Sequence, residues 1–156
     1  KRGNLRETFN DKFLNKKFNF EYCTTSTKNV LRGFHFQTEF QQSKYVNVIK
    51  GKILDVVIDL RKNSKTFGKT FKIVLSKENA LGLFIPSGFA HAYYSFNEEN
   101  IIYYKLDNYY MPKFENGIIY NDAELNLKWP KKRITVSKKD KKLPTFNYFC
   151  KTFGGL

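Results

Sequence analysis

Between Lys44 and Leu106 the chain is a succession of short apolar and aromatic runs, each closed by turn chemistry, and this rhythm limits the possible folds more than any other feature. Lys44–Leu60 reads as two β-rich stretches broken at Lys50-Gly51-Lys52, a hairpin-like connection. In the first stretch Tyr45, Asn47 and Ile49 alternate with Val46, Val48 and Lys50. Lys69–Leu75 is a further strand, bounded by Asn63-Ser64-Lys65 and Gly68 before it and by Ser76-Lys77-Glu78-Asn79 after it. Leu81–Ile85, Ala90–Phe96 and Ile101–Leu106 repeat the pattern around Pro86-Ser87-Gly88 and Asn97-Glu98-Glu99-Asn100. Strands at roughly ten-residue spacing, with no sustained helical period, predict an all-β sandwich or barrel. Helix is expected only in short peripheral pieces, one at Leu5–Leu14 and one in the loop-rich C-terminal third.

The 156 residues fit one domain, 1–156, and 16 Phe with 10 Tyr supply enough apolar surface for a core. The formal charge of +14 asks for an anionic partner. Nucleic acid is set aside because the lysines are scattered and only Lys128–Lys142 is locally dense. A pocket for a small anion such as a nucleotide diphosphate suits the charge at least as well. No apolar run reaches the roughly 18 residues of a membrane-spanning helix, and the N-terminal stretch is not of signal-peptide type. Cys23 and Cys150 have no CxxC spacing. Together these predict a soluble cytoplasmic protein without a disulfide framework.

With only two histidines, each can be weighed by itself. His35 stands in VLRGFHFQ and His91 in IPSGFAHAYY, both shortly after a glycine at the start of a β-like run. A lone strand histidine is more often structural than functional. Two such strands in a small barrel, however, can aim both imidazoles into one cavity. Two histidines and no cysteine pair cannot build the usual metal site, so catalysis without a metal or other cofactor is expected.

Six motifs in order, VLRGFHFQ, KYVNVIKGKILDVVIDLRKNSKTFGK, IPSGFAHAYY, YYKLDNYYMP, ENGIIYNDAELNLKWP and VSKKD, resemble the dTDP-4-dehydrorhamnose 3,5-epimerase family. The resemblance runs from Arg2 to about Pro144. It implies a cupin-like β-barrel, or jelly roll, and an isomerase of nucleotide-linked sugars in dTDP-rhamnose and lipopolysaccharide biosynthesis. Inverting a carbon beside a ketone needs a base on one face, an acid on the other and a group to hold the enolate oxygen. On this resemblance His35 is the base, Asp140 its carboxylate partner, Tyr104 the acid and Lys44 the enolate's support. Substrate contacts implied in the same way are Arg2 and Glu7 near the N-terminus, Arg32 on the diphosphate, Gln37, His91 in the sugar pocket, Glu115 and Lys139. Tyr109 and Tyr110 either offer a ring to the pyrimidine or pack at an edge. The family also implies a homodimer, in which Arg2 or Glu7 could complete the partner's pocket.

Two departures stand out. Phe20-Glu21-Tyr22 replaces a Gln-Asp/Glu-Asn triplet, so two polar base-contacting side chains become aromatic; Asn29 replaces a Gly but still tolerates a left-handed backbone. The first change leaves open a related enzyme that inverts only one centre or takes another nucleotide or sugar. The chain also starts inside the family's N-terminal motif, at Lys1-Arg2-Gly3, so about one strand of the usual domain is expected to be missing. A competing class is a β-barrel binding module for single-stranded nucleic acid, which would not explain why His35, Lys44, Tyr104 and Asp140 occur together.

Overall fold

A computed structural model describes residues 2–131 and 133–156; Lys1 of the N-terminal motif and Lys132 of the basic run lie outside them. Two sheets are stacked face to face. The four-stranded sheet has the order β1-β8-β3-β6, from Phe20–Ser26 (β1), Asn100–Leu106 (β8), Lys44–Lys50 (β3) and Gly82–Ile85 (β6). The second sheet has the order β10-β2-β7-β4-β5, from Thr135–Val136 (β10), Val30–Gln37 (β2), Phe89–Ser95 (β7), Lys52–Asp59 (β4) and Thr70–Ser76 (β5). The short strand Glu115–Gly117 (β9) also pairs with β2. Pairing is antiparallel throughout except for β10 on β2. This is an all-β sandwich, as the spacing of the runs predicts, and of the jelly-roll class that the family resemblance implies.

β4 explains why its sequence is so apolar. Ile53 and Val57 face the other sheet, in a core with Val46, Val48, Leu75, Ile85, Ile102 and Leu106. Val56 and Ile58 face outward, where a second core forms with Phe34, Phe36, Ala90, Ala92, Phe146 and Phe149. A strand covered on both faces shows a continuous apolar run. The outer cover is α1, Phe146–Phe153, whose Phe146, Phe149, Cys150 and Phe153 recur at helical spacing. Thr145 caps its start by accepting from the Tyr148 N–H, and Gly154, at φ 67°, ends it. This is the C-terminal helix anticipated from the sequence.

The Leu5–Leu14 helix is not formed. Only a 3₁₀ turn at Asp11–Phe13 is present, capped by Asn10. Chain upstream of the turn is used as cover for β3: the Tyr45 hydroxyl donates to the Thr8 carbonyl, and Arg6 donates to Asn47 Oδ1 and to the Val48 carbonyl. Such contacts require an irregular backbone, and a short segment without an apolar stripe has little to gain from a helix. Asn29 does take the left-handed conformation, φ 61°, in the turn from β1 to β2. Cys23 and Cys150 are unpaired. No helix among the described residues is long and apolar enough to cross a membrane.

Candidate active site

The inner faces of β2, β7, β1 and β8 enclose a cavity of about 370 Å³, within the range typical of small-molecule sites. His35 and His91 are register partners on adjacent strands β2 and β7, and both line it. The sequence between Arg32 and His35 makes this possible. A register shift there lets Arg32 and His35, three positions apart, both line the cavity while Phe34 enters the outer core. Gly33, at φ 115°, lies so close to β7 that a Cβ would stand 2.5 Å from the His91 carbonyl oxygen and 2.6 Å from the Ala92 Cβ. Only glycine fits that backbone.

His35 Nε2 is 3.0 Å from Asp140 Oδ1. Asp140 comes from the other end of the chain, at the start of a 3₁₀ turn, Asp140–Lys142. Its second oxygen accepts from the Gly33 N–H at 3.2 Å, and its own N–H donates to Ser137 Oγ at 2.9 Å. Burial pushes the Asp140 carboxyl up, but hydrogen bonds and charge from His35, with those from Gly33 and Ser137, hold it below the ordinary carboxylate range. An ionised Asp140 can only accept, so His35 Nε2 carries the hydrogen and Nδ1 is left as the basic nitrogen.

A second histidine–carboxylate couple lies deeper. His91 Nε2 is 2.8 Å from Asp55 Oδ2, and Asp55 is fully buried with no hydrogen-bond partner for Oδ1 among the described residues. Asp55 belongs to the inward set of β4, between Ile53 and Val57. A carboxylate in phase with the inward residues of an apolar strand was the available sequence signal, and it was missed.

Lys44 opens β3 and is buried at the cavity wall. Burial lowers its pKa to about 8, against the attraction of Asp55 and Glu115. Tyr104, on β8, is also buried; desolvation first, then the neighbouring Tyr93, Tyr22 and Asp55, keeps its phenol protonated well above the usual range. Arg32 is held from one side, donating to Ser26 Oγ at 3.1 Å and the Thr25 carbonyl at 3.4 Å. Ser26 and Thr24 in turn bond the Tyr93 hydroxyl, tying β1 to β7 across the cavity.

Glu115 forms an ion pair with Lys139 and accepts from the Tyr110 hydroxyl at 2.6 Å. Burial would raise the Glu115 carboxyl, but Lys139 and Tyr110 outweigh it and hold it low. Both partners also line the cavity. Gln37 reaches the wall with its amide engaged: it donates to the Phe40 and Tyr109 carbonyls and accepts from the Met111 N–H at 2.7 Å, holding two loops together.

Three expected contacts fall elsewhere. Arg2 and Glu7 are exposed and do not line this chain's cavity. Glu7 instead borders a shallow cleft beside Tyr45 and Phe84 on the outer side of the four-stranded sheet. Tyr109 is mostly exposed and packs against Phe20. Of Phe20-Glu21-Tyr22, only Tyr22 lines the cavity; alternation turns Glu21 outward, to Lys105 and the Tyr103 hydroxyl. No group of three or more His, Cys, Asp or Glu stands close enough to hold a metal ion among the described residues.

This arrangement has close parallels. Residues 1–148 match the family described as dTDP-4-dehydrorhamnose 3,5-epimerase. A protein of that name from Methanothermobacter thermautotrophicus is 40% identical over 148 residues, covering 90% of this chain and 80% of its own. The crystal structure of the Elizabethkingia anophelis dTDP-4-dehydrorhamnose 3,5-epimerase superposes with a TM-score of 0.88 at 34% identity, covering 94% of this chain and 85% of that one. A Legionella pneumophila dTDP-6-deoxy-D-glucose-3,5-epimerase, solved with dTDP-4-keto-L-rhamnose, gives 0.86 at 35% identity, covering 90% and 79%.

Proposed function

The chain belongs to the dTDP-4-dehydrorhamnose 3,5-epimerase family, isomerases that invert C3 and C5 of dTDP-4-dehydro-6-deoxy-glucose to give dTDP-4-dehydro-rhamnose, and we propose that its own residues do so as follows. His35 Nδ1 removes the proton beside the ketone, with Asp140 steadying the imidazolium that forms. The C–H electron pair moves into an enolate, whose oxygen is met by the Lys44 ammonium. Tyr104 returns a proton to the opposite face and recovers its own from water, to which the His35 imidazolium gives up the proton it took. The steps repeat at the second carbon, since both positions flank the same ketone. The observation that carries this reading is the His35–Asp140 couple lining the same cavity as a buried Tyr104 and a buried Lys44.

The remaining contacts follow the chemistry of the substrate. Arg32 offers its unused guanidinium N–H groups to the diphosphate, with Lys139 adding charge. His91 faces the sugar, held by Asp55, and Tyr110 with Glu115 borders the nucleotide end. Gln37 acts from behind, by fixing the loops that carry Phe40 and Tyr109–Met111. Exposure of the N-terminal segment, where Leu5 is 97% and Phe13 81% accessible, supports a homodimer in which Arg2 and Glu7 serve the partner's cavity. The enzyme acts without a metal, in the cytoplasm, upstream of rhamnose-containing polymers such as lipopolysaccharide.

The test is turnover of dTDP-4-dehydro-6-deoxy-glucose in D₂O, followed by NMR. Deuterium appears at C3 and C5 with inversion at both, and His35→Ala or Tyr104→Phe abolishes inversion. Full activity in either variant overturns the assignment. Deuterium at one carbon alone would mark a single-centre epimerase.

A further inference from the structure

Tyr22 occupies a position where the family usually places a polar side chain, and the fold puts it against the residue assigned as the acid. The β1–β8 register sets Tyr22 directly opposite Tyr104. Their rings stack with centroids 4.9 Å apart and planes 20° from parallel. His91 meets the Tyr104 ring edge-on at 6.0 Å and 66°. Tyr104 is therefore gripped between a flat neighbour and an edge, two favoured aromatic geometries. Tyr22 is itself backed by Phe20, at 5.7 Å, which in turn touches Tyr109. The Tyr22 hydroxyl makes no hydrogen bond among the described residues, so the ring rather than the hydroxyl makes the contact.

The geometry points to Tyr22 as a positioning residue for Tyr104, one that decides whether the enolate is protonated on the face opposite the base or on the face it came from. This rests on the assignment of Tyr104 as the acid. Once His35 has taken the carbon-bound proton, two returns compete. If the Tyr104 O–H bond breaks and its proton goes to the carbon, the centre is inverted and a phenolate remains, which water then protonates. If the His35 imidazolium returns a proton, the original configuration is restored. In D₂O, after the imidazolium has exchanged with solvent, the second route leaves deuterium on a carbon that has not inverted. The ratio of retained deuteration to inversion thus reports how well Tyr104 is aimed. A fault in folding alone lowers both and leaves the ratio unchanged.

The experiment compares the full chain with Tyr22→Asn, Tyr22→Leu and Tyr22→Phe, using dTDP-4-dehydro-6-deoxy-glucose in D₂O and NMR of both recovered substrate and product. Tyr22→Asn removes the ring, and Tyr22→Leu keeps apolar bulk without a flat face. Both raise the ratio about two- to tenfold, the range an aromatic pair commands, while Tyr22→Phe keeps the parental ratio. Tyr22 is 38% exposed on an edge strand, so these changes are tolerated by the fold. Should the Asn variant not fold, the Leu variant decides. A parental ratio in the variants lacking the ring overturns the inference, as does a raised ratio in Tyr22→Phe. Tyr104→Phe separates the two levels: if it still inverts, the acid assignment is wrong, and if it does not while Tyr22→Leu partitions like the parent, only the role of Tyr22 is wrong.

Discussion

Replacing Asp140 by Asn tests the base assignment with almost no change in shape. In the parent, Asp140 accepts from both His35 Nε2–H and the Gly33 N–H. An asparagine has one acceptor and one donor at these two places, so it must disappoint one of them. If its oxygen serves Gly33, its amide N–H faces Nε2, the hydrogen moves to Nδ1 and the base is blocked. If its oxygen serves His35, the amide group meets the Gly33 N–H, leaving that donor unpaired. In both cases the imidazolium loses its counter-charge. At 3.0 Å and an effective dielectric of about 20, that attraction is roughly 5 kcal/mol. The His35 side chain is 33% exposed, and solvent screening leaves about 2–4 kcal/mol, which corresponds to a fall of about 30- to 1000-fold in kcat. KM should change little, because the carboxylate stands behind the base rather than against the substrate. Deuterium wash-in at saturating substrate, with circular dichroism to confirm folding, measures this. A folded Asp140→Asn enzyme whose kcat lies within about threefold of the parent would refute a catalytic role for the couple.

Three further outcomes follow from two charged groups. Lys44, lowered by burial to about 8, loses its proton on the alkaline side, so activity should fall with an apparent pKa near that value, and in Lys44→Arg this limb should move beyond reach even if the rate is lower. The same shift affects stability: between about 8 and the unfolded value near 10.4 the unfolded chain binds more protons, so this group makes the fold more stable as pH rises through that window; equilibrium unfolding in urea across it shows the slope. Asp59 is held low for the opposite reason, since burial raises its carboxyl but donors from Arg61, Ser64 and Thr66 outweigh that. Its stabilisation is present above the unfolded value of about 3.9 and lost as pH falls through the lower folded one. Asp59→Ala should therefore cost about 2–4 kcal/mol near neutral pH and much less in acid, with turnover per folded molecule unchanged; an equal loss at both pH values would disprove the ionic origin.

Elements were legible in the sequence where burial is one-sided or complete. β3 to β8 stand where the apolar runs and turn residues put them, because each packs into a core. β1 has no such signature: it is an edge strand whose Glu21, Tyr22, Cys23 and Thr25 are exposed, so its pattern resembles a loop. The N-terminal segment misled because its charged and polar residues suit a helix start, while its side chains are claimed by β3. At the site, rarity singled out His35 and His91, whereas Asp140, Tyr104 and Lys44 were visible only through family likeness, since nothing local distinguishes them from other acids, tyrosines and lysines. Asp55 and Tyr22 matter through what stands across from them, and sheet register is not written in any one segment.

The two members of the His35–Asp140 couple are 105 residues apart. The carboxylate reaches the imidazole only after β10 has aligned beside β2 and the following turn has settled against Gly33. A long loop must close before that contact exists, which is a late and slow kind of event in folding. Strands β1 to β8 can therefore pair around the inner core while the outer core still waits for α1, in a state that is catalytically silent. Recovery of turnover after dilution from denaturant should lag behind recovery of β-sheet signal, making this enzyme's activity a clock for the arrival of its C-terminal third.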